Sequence, residues 1–161
     1  MTFGWNAEFY DLVVSGFRLI FTPRFRDIDA LGHVNNAVFL TYFEEGRLNY
    51  LRGLGVLDPA KPSILIARVE VDYLRPVLLG ETLSLSVHAI GFGRTSFTLS
   101  YELSIGGALC ARSKSVQVWI GNEERTPSPI PVGVRQAMEA FEGHAIPAHA
   151  PASSGDSPRV A

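Results

Sequence analysis

The sequence predicts an α+β domain in which a curved antiparallel sheet wraps one long helix, and three observations carry that prediction. A stretch centred near residue 45 has helical periodicity and is apolar around most of its circumference. The second half of the chain is a run of segments that alternate with period two. Short glycine-rich reversals join those segments, which pairs neighbours antiparallel.

Residues 1–16 mix Glu8 and Asp11 with aromatic side chains and lack a basic start followed by a long apolar run, so they do not read as a secretory signal. From Phe17 to Arg26 the chain alternates, with Phe17, Leu19, Phe21 and Phe25 against Arg18, Thr22, Arg24 and Arg26. This predicts a half-buried strand, with Pro23 marking an edge or irregularity. A tight turn follows, and residues 36–54 then predict a helix with Phe39, Phe43, Gly46 and Tyr50 on one face and Leu40, Tyr42 and Leu51 widening it. Asn35 or Asn36 can cap its start, and Gly53 or Gly55 can end it.

Residues 64–73 predict a strand that stops before Pro76. Residues 81–90 set Leu83, Leu85, Val87 and Ala89 against Thr82, Ser84, Ser86 and His88, and residues 96–105 alternate through Phe97, Leu99, Tyr101, Leu103 and Ile105. Residues 108–120 follow, with Val116, Val118 and Ile120 on one face. Gly106-Gly107 is a two-residue hairpin signal, and Gly91-Phe92-Gly93-Arg94 is a longer reversal. The one substantial helix is the sheet's natural cover. Residues 123–131 form a proline-rich connection, and residues 134–141 suit a short amphipathic helix. The domain is therefore drawn as 1–142, and the Ala-, Pro- and Ser-rich residues 143–161 as a disordered tail.

Composition narrows the function. A chain of 161 residues, 47% of them hydrophobic, is enough for one ordinary core. A net charge of -2 provides no basic footprint, so nucleic acid is not an expected partner, and no apolar run is long enough to span a membrane. Cys110 is the sole cysteine, which excludes an internal disulfide and fits a reducing, cytoplasmic setting. No His, Cys, Asp or Glu cluster has metal-ligand spacing, so neither a metal nor a separate cofactor is expected.

The segment from Phe25 to Asn36 holds the chemistry. Asp29 lies a few residues before a helix start, whose unpaired N–H groups and partial positive charge can polarise a carbonyl oxygen. Asp27 and Asp29 also suit turns and caps. Asp27 is read as structural. His33 suits a hydrogen-bonded loop residue or a catalytic partner, His88 sits on the polar side of its strand and is expected in solvent, and Glu44 can pair with Arg47 one helical turn on.

The order of these elements, with Asp-Ile-Asp-Ala-Leu-Gly-His-Val-Asn-Asn before a Phe-Leu-Thr-Tyr-Phe-Glu-Glu-Gly-Arg helix and Asp72-Tyr73-Leu74-Arg75-Pro76 before Gly80-Glu81, resembles the 4-hydroxybenzoyl-CoA thioesterase group of hotdog-fold acyl-CoA thioesterases. The resemblance spans residues 17–119. It implies the hotdog fold, edge-to-edge homodimers often paired into homotetramers, and active sites between subunits. It also implies that Asp29 is the catalytic carboxylate, as nucleophile or general base, and that a backbone N–H near Asn36 is the oxyanion donor. His33 and Asn36 then orient the carboxylate, the water or the acyl group. The chain departs from some relatives, with Phe25 where one branch has Tyr and Asn36 where that branch has His. His33 matches a His-Val-Asn-Asn segment of plant acyl-carrier-protein thioesterases, yet Leu31 replaces the Asn those enzymes place between Asp and His.

The implied substrate is an acyl-CoA ester, with Val38, Phe39, Tyr42, Ile64 and Ile66 as candidates to line an acyl pocket. Arg94, Thr95 and Ser96 after two glycines, or Arg112 and Lys114 on the last strand, are candidates for the coenzyme phosphates. Glu44 is a rival carboxylate on the helix. A hotdog dehydratase or hydratase, and a non-catalytic acyl-thioester binding module, are the alternatives.

Overall fold

The computed structural model describes residues 12–13, 16–57, 63–121 and 126–149. Six strands form one antiparallel sheet in the order β1-β2-β4-β5-β6-β3, where β1 is Leu12–Val13, β2 Gly16–Phe21, β3 Ile64–Tyr73, β4 Leu83–Phe92, β5 Ser96–Ile105 and β6 Ala108–Trp119. Helix α1, Asn36–Gly53, lies across its inner face, and α2, Val132–Glu142, follows the last strand. This is the hotdog arrangement.

Alternation sets the core. Leu83, Leu85, Val87 and Ala89 of β4 and Phe97, Leu99, Tyr101 and Leu103 of β5 are buried against Phe39, Phe43, Tyr50 and Leu51 of α1. Gly46 permits that closeness, because a Cβ there would stand 2.6 Å from Leu85 Cδ2. The β5–β6 turn uses Gly106 and Gly107 at φ +57 and +84, left-handed values that glycine adopts without strain.

The first long strand is shorter than its alternation predicts. It stops at Phe21, and residues 25–27 form a 3-10 turn. Asp27 is the cause: its Oδ2 accepts the Arg24 N–H at 2.8 Å and the Tyr42 hydroxyl at 2.7 Å, closing the turn after Pro23 and tying it to α1. Phe25 is consequently 84% exposed rather than in the core. The two-residue β1 falls in a segment where no strand was expected.

The tail boundary also moves. Residues 143–149 pack rather than dangle, since Ile146 is buried, the Phe92 N–H donates to the Pro147 carbonyl at 2.9 Å, and the His149 ring meets the Thr98 hydroxyl at 2.9 Å. Residues 150–161, residues 123–125 of the predicted proline-rich connection, and the first eleven residues lie outside the described residues. His88 is not in solvent alone. Its Nδ1 stands 3.0 Å from Glu142 Oε2, because α2 folds back over the end of β4.

Candidate active site

The site is built where β2 ends and α1 begins. Ile28 and Val34 form an antiparallel bridge, and between them Asp29-Ala30-Leu31-Gly32 makes a turn with the Gly32 N–H on the Asp29 carbonyl at 3.0 Å. Gly32 has φ +84, which explains glycine there. Asp29 Oδ1 accepts the Leu31 N–H at 2.8 Å, so Asp29 does serve its own turn. Its Oδ2 has no hydrogen-bond partner among the described residues. The side chain remains 22% exposed, enough for water or substrate to reach it.

Asn35, not Asn36, is the helix cap. Its Oδ1 takes the Ala37 N–H at 2.9 Å and its carbonyl takes the Val38 N–H at 2.9 Å. The Asn36 N–H, at the first helical position, makes no hydrogen bond among the described residues. That is an unused donor at the positive end of an eighteen-residue helix. The Asn36 carbonyl accepts the Tyr73 hydroxyl at 2.9 Å, so the edge strand β3 pins the first turn of α1.

A cleft of about 340 Å³ opens at this end, lined by His33, Val34, Asn36, Phe39, Tyr73, Leu74, Arg75 and Pro76. His33 joins the cleft to the carboxylate, its Nδ1 lying 3.8 Å from Asp29 Oδ1. That separation is an electrostatic contact and longer than a hydrogen bond. The loop is held from outside by the Val34 N–H on the Val77 carbonyl at 2.8 Å. Tyr73 and Arg75 carried no role in the sequence reading; the one signal for Tyr73 was its inward place in the alternation of β3.

Asp29, His33 and Asn36 are thus brought together. The phosphate candidates are not. The register runs from Phe21↔Leu83 at the site end to Phe92↔Phe97 and Ser96↔Val118 at the other, so Arg94, Thr95 and Ser96 stand about 30 Å away in the same chain. Arg112 and Lys114 project from the outer face, among Glu70, Asp72 and Glu102, and Arg112 Nε is paired with Asp72 Oδ2 at 2.7 Å. Glu44 is exposed and 3.3 Å from the Arg47 guanidinium. Val38, Phe39, Tyr42 and Ile64 pack in or against the core, while Ile66 faces open space. Among the described residues, no group of three His, Cys, Asp or Glu side chains is placed to hold a metal, and no helix is long and apolar enough to cross a membrane.

Comparison with known proteins gives the site a context. A family model described as the thioesterase-like superfamily matches residues 23–138. A thioesterase from Thermus thermophilus, solved in complex with coenzyme A and zinc, is 40% identical, with a TM-score of 0.72 covering 79% of this chain and 95% of that one. A thioesterase-superfamily structure from Jannaschia sp. CCS1 is 27% identical, with a TM-score of 0.72 over 81% of this chain and 85% of its own. A 1,4-dihydroxy-2-naphthoyl-CoA hydrolase of Synechococcus elongatus is 29% identical over 114 residues, 67% of this chain and 84% of that protein.

Proposed function

The chain belongs to the thioesterase-like superfamily, and from that premise we propose that it hydrolyses acyl-CoA thioesters to the free acid and coenzyme A. The observation that supports this best is the pairing of a carboxylate that has an unused oxygen, Asp29, with the unused Asn36 N–H at the start of α1.

A thioester asks little of such a site. Its leaving thiol has a pKa of about 8.5, so it departs as a thiolate without a strong general acid. Asp29 attacks the carbonyl carbon, or takes a proton from a water that does so, and the Asn36 N–H meets the oxyanion. The C–O bond forms first and gives the tetrahedral oxyanion, whose collapse breaks the C–S bond and expels the thiolate; in the nucleophilic route water then cleaves the acyl–Asp29 anhydride to the free acid and restores the carboxylate, and in the general-base route the proton held by Asp29 passes to the thiolate. His33, between cleft and carboxylate, orients the water or the acyl group.

A second copy completes the site in this reading. Strand β3 is a ten-residue sheet edge with Leu65, Ile66, Val69 and Tyr73 exposed, an edge suited to pairing with another strand. Antiparallel pairing of two β3 edges would bring the partner's far end, where Arg94, Thr95 and Ser96 sit, toward this chain's Asp29 end. That would reconcile the coenzyme-binding candidates with the 30 Å gap, taken as roughly ten strand residues.

The test is thiol release from a panel of aliphatic and aromatic acyl-CoA esters, with Asp29→Asn alongside and mass measured in solution. Release by the natural protein and its loss in the variant are expected. If no ester is cleaved, or the variant keeps full rate, Asp29 is not a hydrolytic carboxylate; tight binding without cleavage would favour a binding module, and water addition to an enoyl ester a hydratase.

A further inference from the structure

Two hairpin turns of the sheet are held in opposite ways. The β5–β6 turn at Gly106 and Gly107 stands in open space, with no atom within 4 Å of where a Cβ would sit on either glycine. The β4–β5 turn, residues 93–96, is gripped by later parts of the chain. Its Gly93 N–H closes on the Ser96 carbonyl at 2.6 Å. The Gly93 carbonyl then accepts the Arg135 guanidinium, the Arg94 carbonyl the Ile130 N–H at 3.1 Å, and the Thr95 carbonyl the Trp119 N–H at 2.8 Å. Phe92, one residue before, is clamped through both backbone groups: its N–H donates to the Pro147 carbonyl at 2.9 Å and its carbonyl accepts the His149 N–H at 2.8 Å. The Arg135 guanidinium also lies over the Phe92 ring, 4.7 Å from its centre.

Glycine makes the grip possible. A Cβ on Gly91 would overlap the His149 ring, which crosses that glycine to reach the Thr98 hydroxyl at 2.9 Å. The ring covers Thr98, which is 7% exposed although it alternates with the inward Phe97 and Leu99. Residues 143–149 lie beyond residue 138, where the family match ends.

A hairpin turn in water needs none of this, since solvent satisfies its carbonyls, as at Gly106 and Gly107. What the grip achieves is directional. With the carbonyls of residues 92–96 all engaged, the groups left over are donors. The N–H groups of Arg94 and Thr95 and the hydroxyls of Thr95 and Ser96 make no hydrogen bond among the described residues, and the exposed Arg94 guanidinium has no ion pair among them. Consecutive unpaired N–H groups beside a guanidinium suit an anion.

Resting on the reading that Arg94, Thr95 and Ser96 receive the coenzyme phosphates, we propose that His149 and Arg135 are positioning residues for that site. Residues 146–149 and α2 fix the turn with its carbonyls spent and its donors outward. Affinity for the phosphorylated ligand therefore depends on a C-terminal strap that touches no reacting atom. A loose turn would be ordered only on binding, and that entropy would be subtracted from affinity; the strap orders it at folding.

Dissociation constants of coenzyme A and of pantetheine, which lacks the phosphates, are measured by calorimetry on the full chain. The natural protein is expected to bind coenzyme A at least about tenfold tighter, and Arg94→Gln to lose most of that preference. His149→Ala is expected to weaken coenzyme A by about fivefold and leave pantetheine within about twofold, a split that general loosening of the fold would not produce. Gly91→Ala should act like His149→Ala, because its new Cβ displaces the ring, and the double variant should bind no more weakly than either single one. The exposed His149 decides the question if Gly91→Ala does not fold. If Arg94→Gln binds coenzyme A as tightly as the natural protein, the phosphate reading of the turn fails and the proposal with it. If Arg94→Gln weakens coenzyme A while His149→Ala does not, or His149→Ala weakens both ligands equally, the phosphate reading stands and the role of the strap is overturned.

Discussion

The two ends of α1 each hold a carboxylate, and the two are treated oppositely. At the C-terminal end Glu142, 3% exposed, is saturated: Oε1 accepts the Tyr50 hydroxyl at 2.7 Å and the Ala89 N–H at 2.9 Å, and Oε2 faces His88 at 3.0 Å. At the N-terminal end Asp29 spends one oxygen on its turn and keeps the other, beside a helix start with an N–H unspent. Asp27, two residues away, is buried and holds two donors on Oδ2, the Arg24 N–H and the Tyr42 hydroxyl. A carboxylate whose lone pairs are all engaged holds elements together, and one left half-satisfied at a cleft is available for chemistry.

The largest effect should separate the two ends by kind. Asp29→Asn is expected to lower kcat for thioester cleavage by about 10³ with the thermal midpoint nearly unmoved, because it alters charge without removing the turn acceptor. A midpoint that falls with activity would make Asp29 a structural residue like Glu142. Glu142→Ala should do the reverse, costing about 3 kcal/mol in urea unfolding by stranding the Tyr50 hydroxyl and Ala89 N–H, with cleavage per folded molecule retained. Asn35→Ala, which removes the cap and leaves the Asn36 N–H in place, should cost about 1 kcal/mol. A large loss of kcat there would show that the cap also aims the donor.

The smallest effect is a pH dependence at the C-terminal end. Glu142 raises the His88 pKa by its hydrogen bond, more than burial lowers it. Burial pushes Glu142 up, but the bonds from His88, the Ala89 N–H and Tyr50 outweigh it and hold the carboxyl below its usual range. His88 therefore stabilises the fold at pH below its ordinary value, and that contribution disappears as pH rises through its raised one. Glu142 stabilises above the usual carboxylate range and loses that contribution as pH falls through its lowered value. Urea midpoints should thus be highest in mildly acidic solution. Under about 1 kcal/mol is at stake, since His88 is more than a third exposed. His88→Gln should flatten the alkaline side; an unchanged profile would locate the dependence elsewhere.

The periodicities were strong enough to place the main strands and α1. Residues 64–73 and 96–105 were bounded to the residue because Pro76 and the paired glycines interrupt the pattern on their own. Asp29, His33 and Asn36 could be singled out because a turn, a cap and a helix start are local events. What alternation misread was the end of β2, where a buried bond from Tyr42 to Asp27, fifteen residues apart, decides where the strand stops. It also misread His88, because its partner lies on α2.

Sequence alone therefore determined the element types, the wrap of sheet about helix and the place of the candidate carboxylate Asp29 in its turn, since each follows from neighbours a few positions apart. Only the tertiary structure decided which oxygens and N–H groups stay unspent, that Arg94 lies far from Asp29, and that the Tyr101 hydroxyl meets Ser115. Those outcomes depend on strand register and helix placement, which bring distant residues together by burying apolar area, and alternation by itself carries no information about which distant residue arrives.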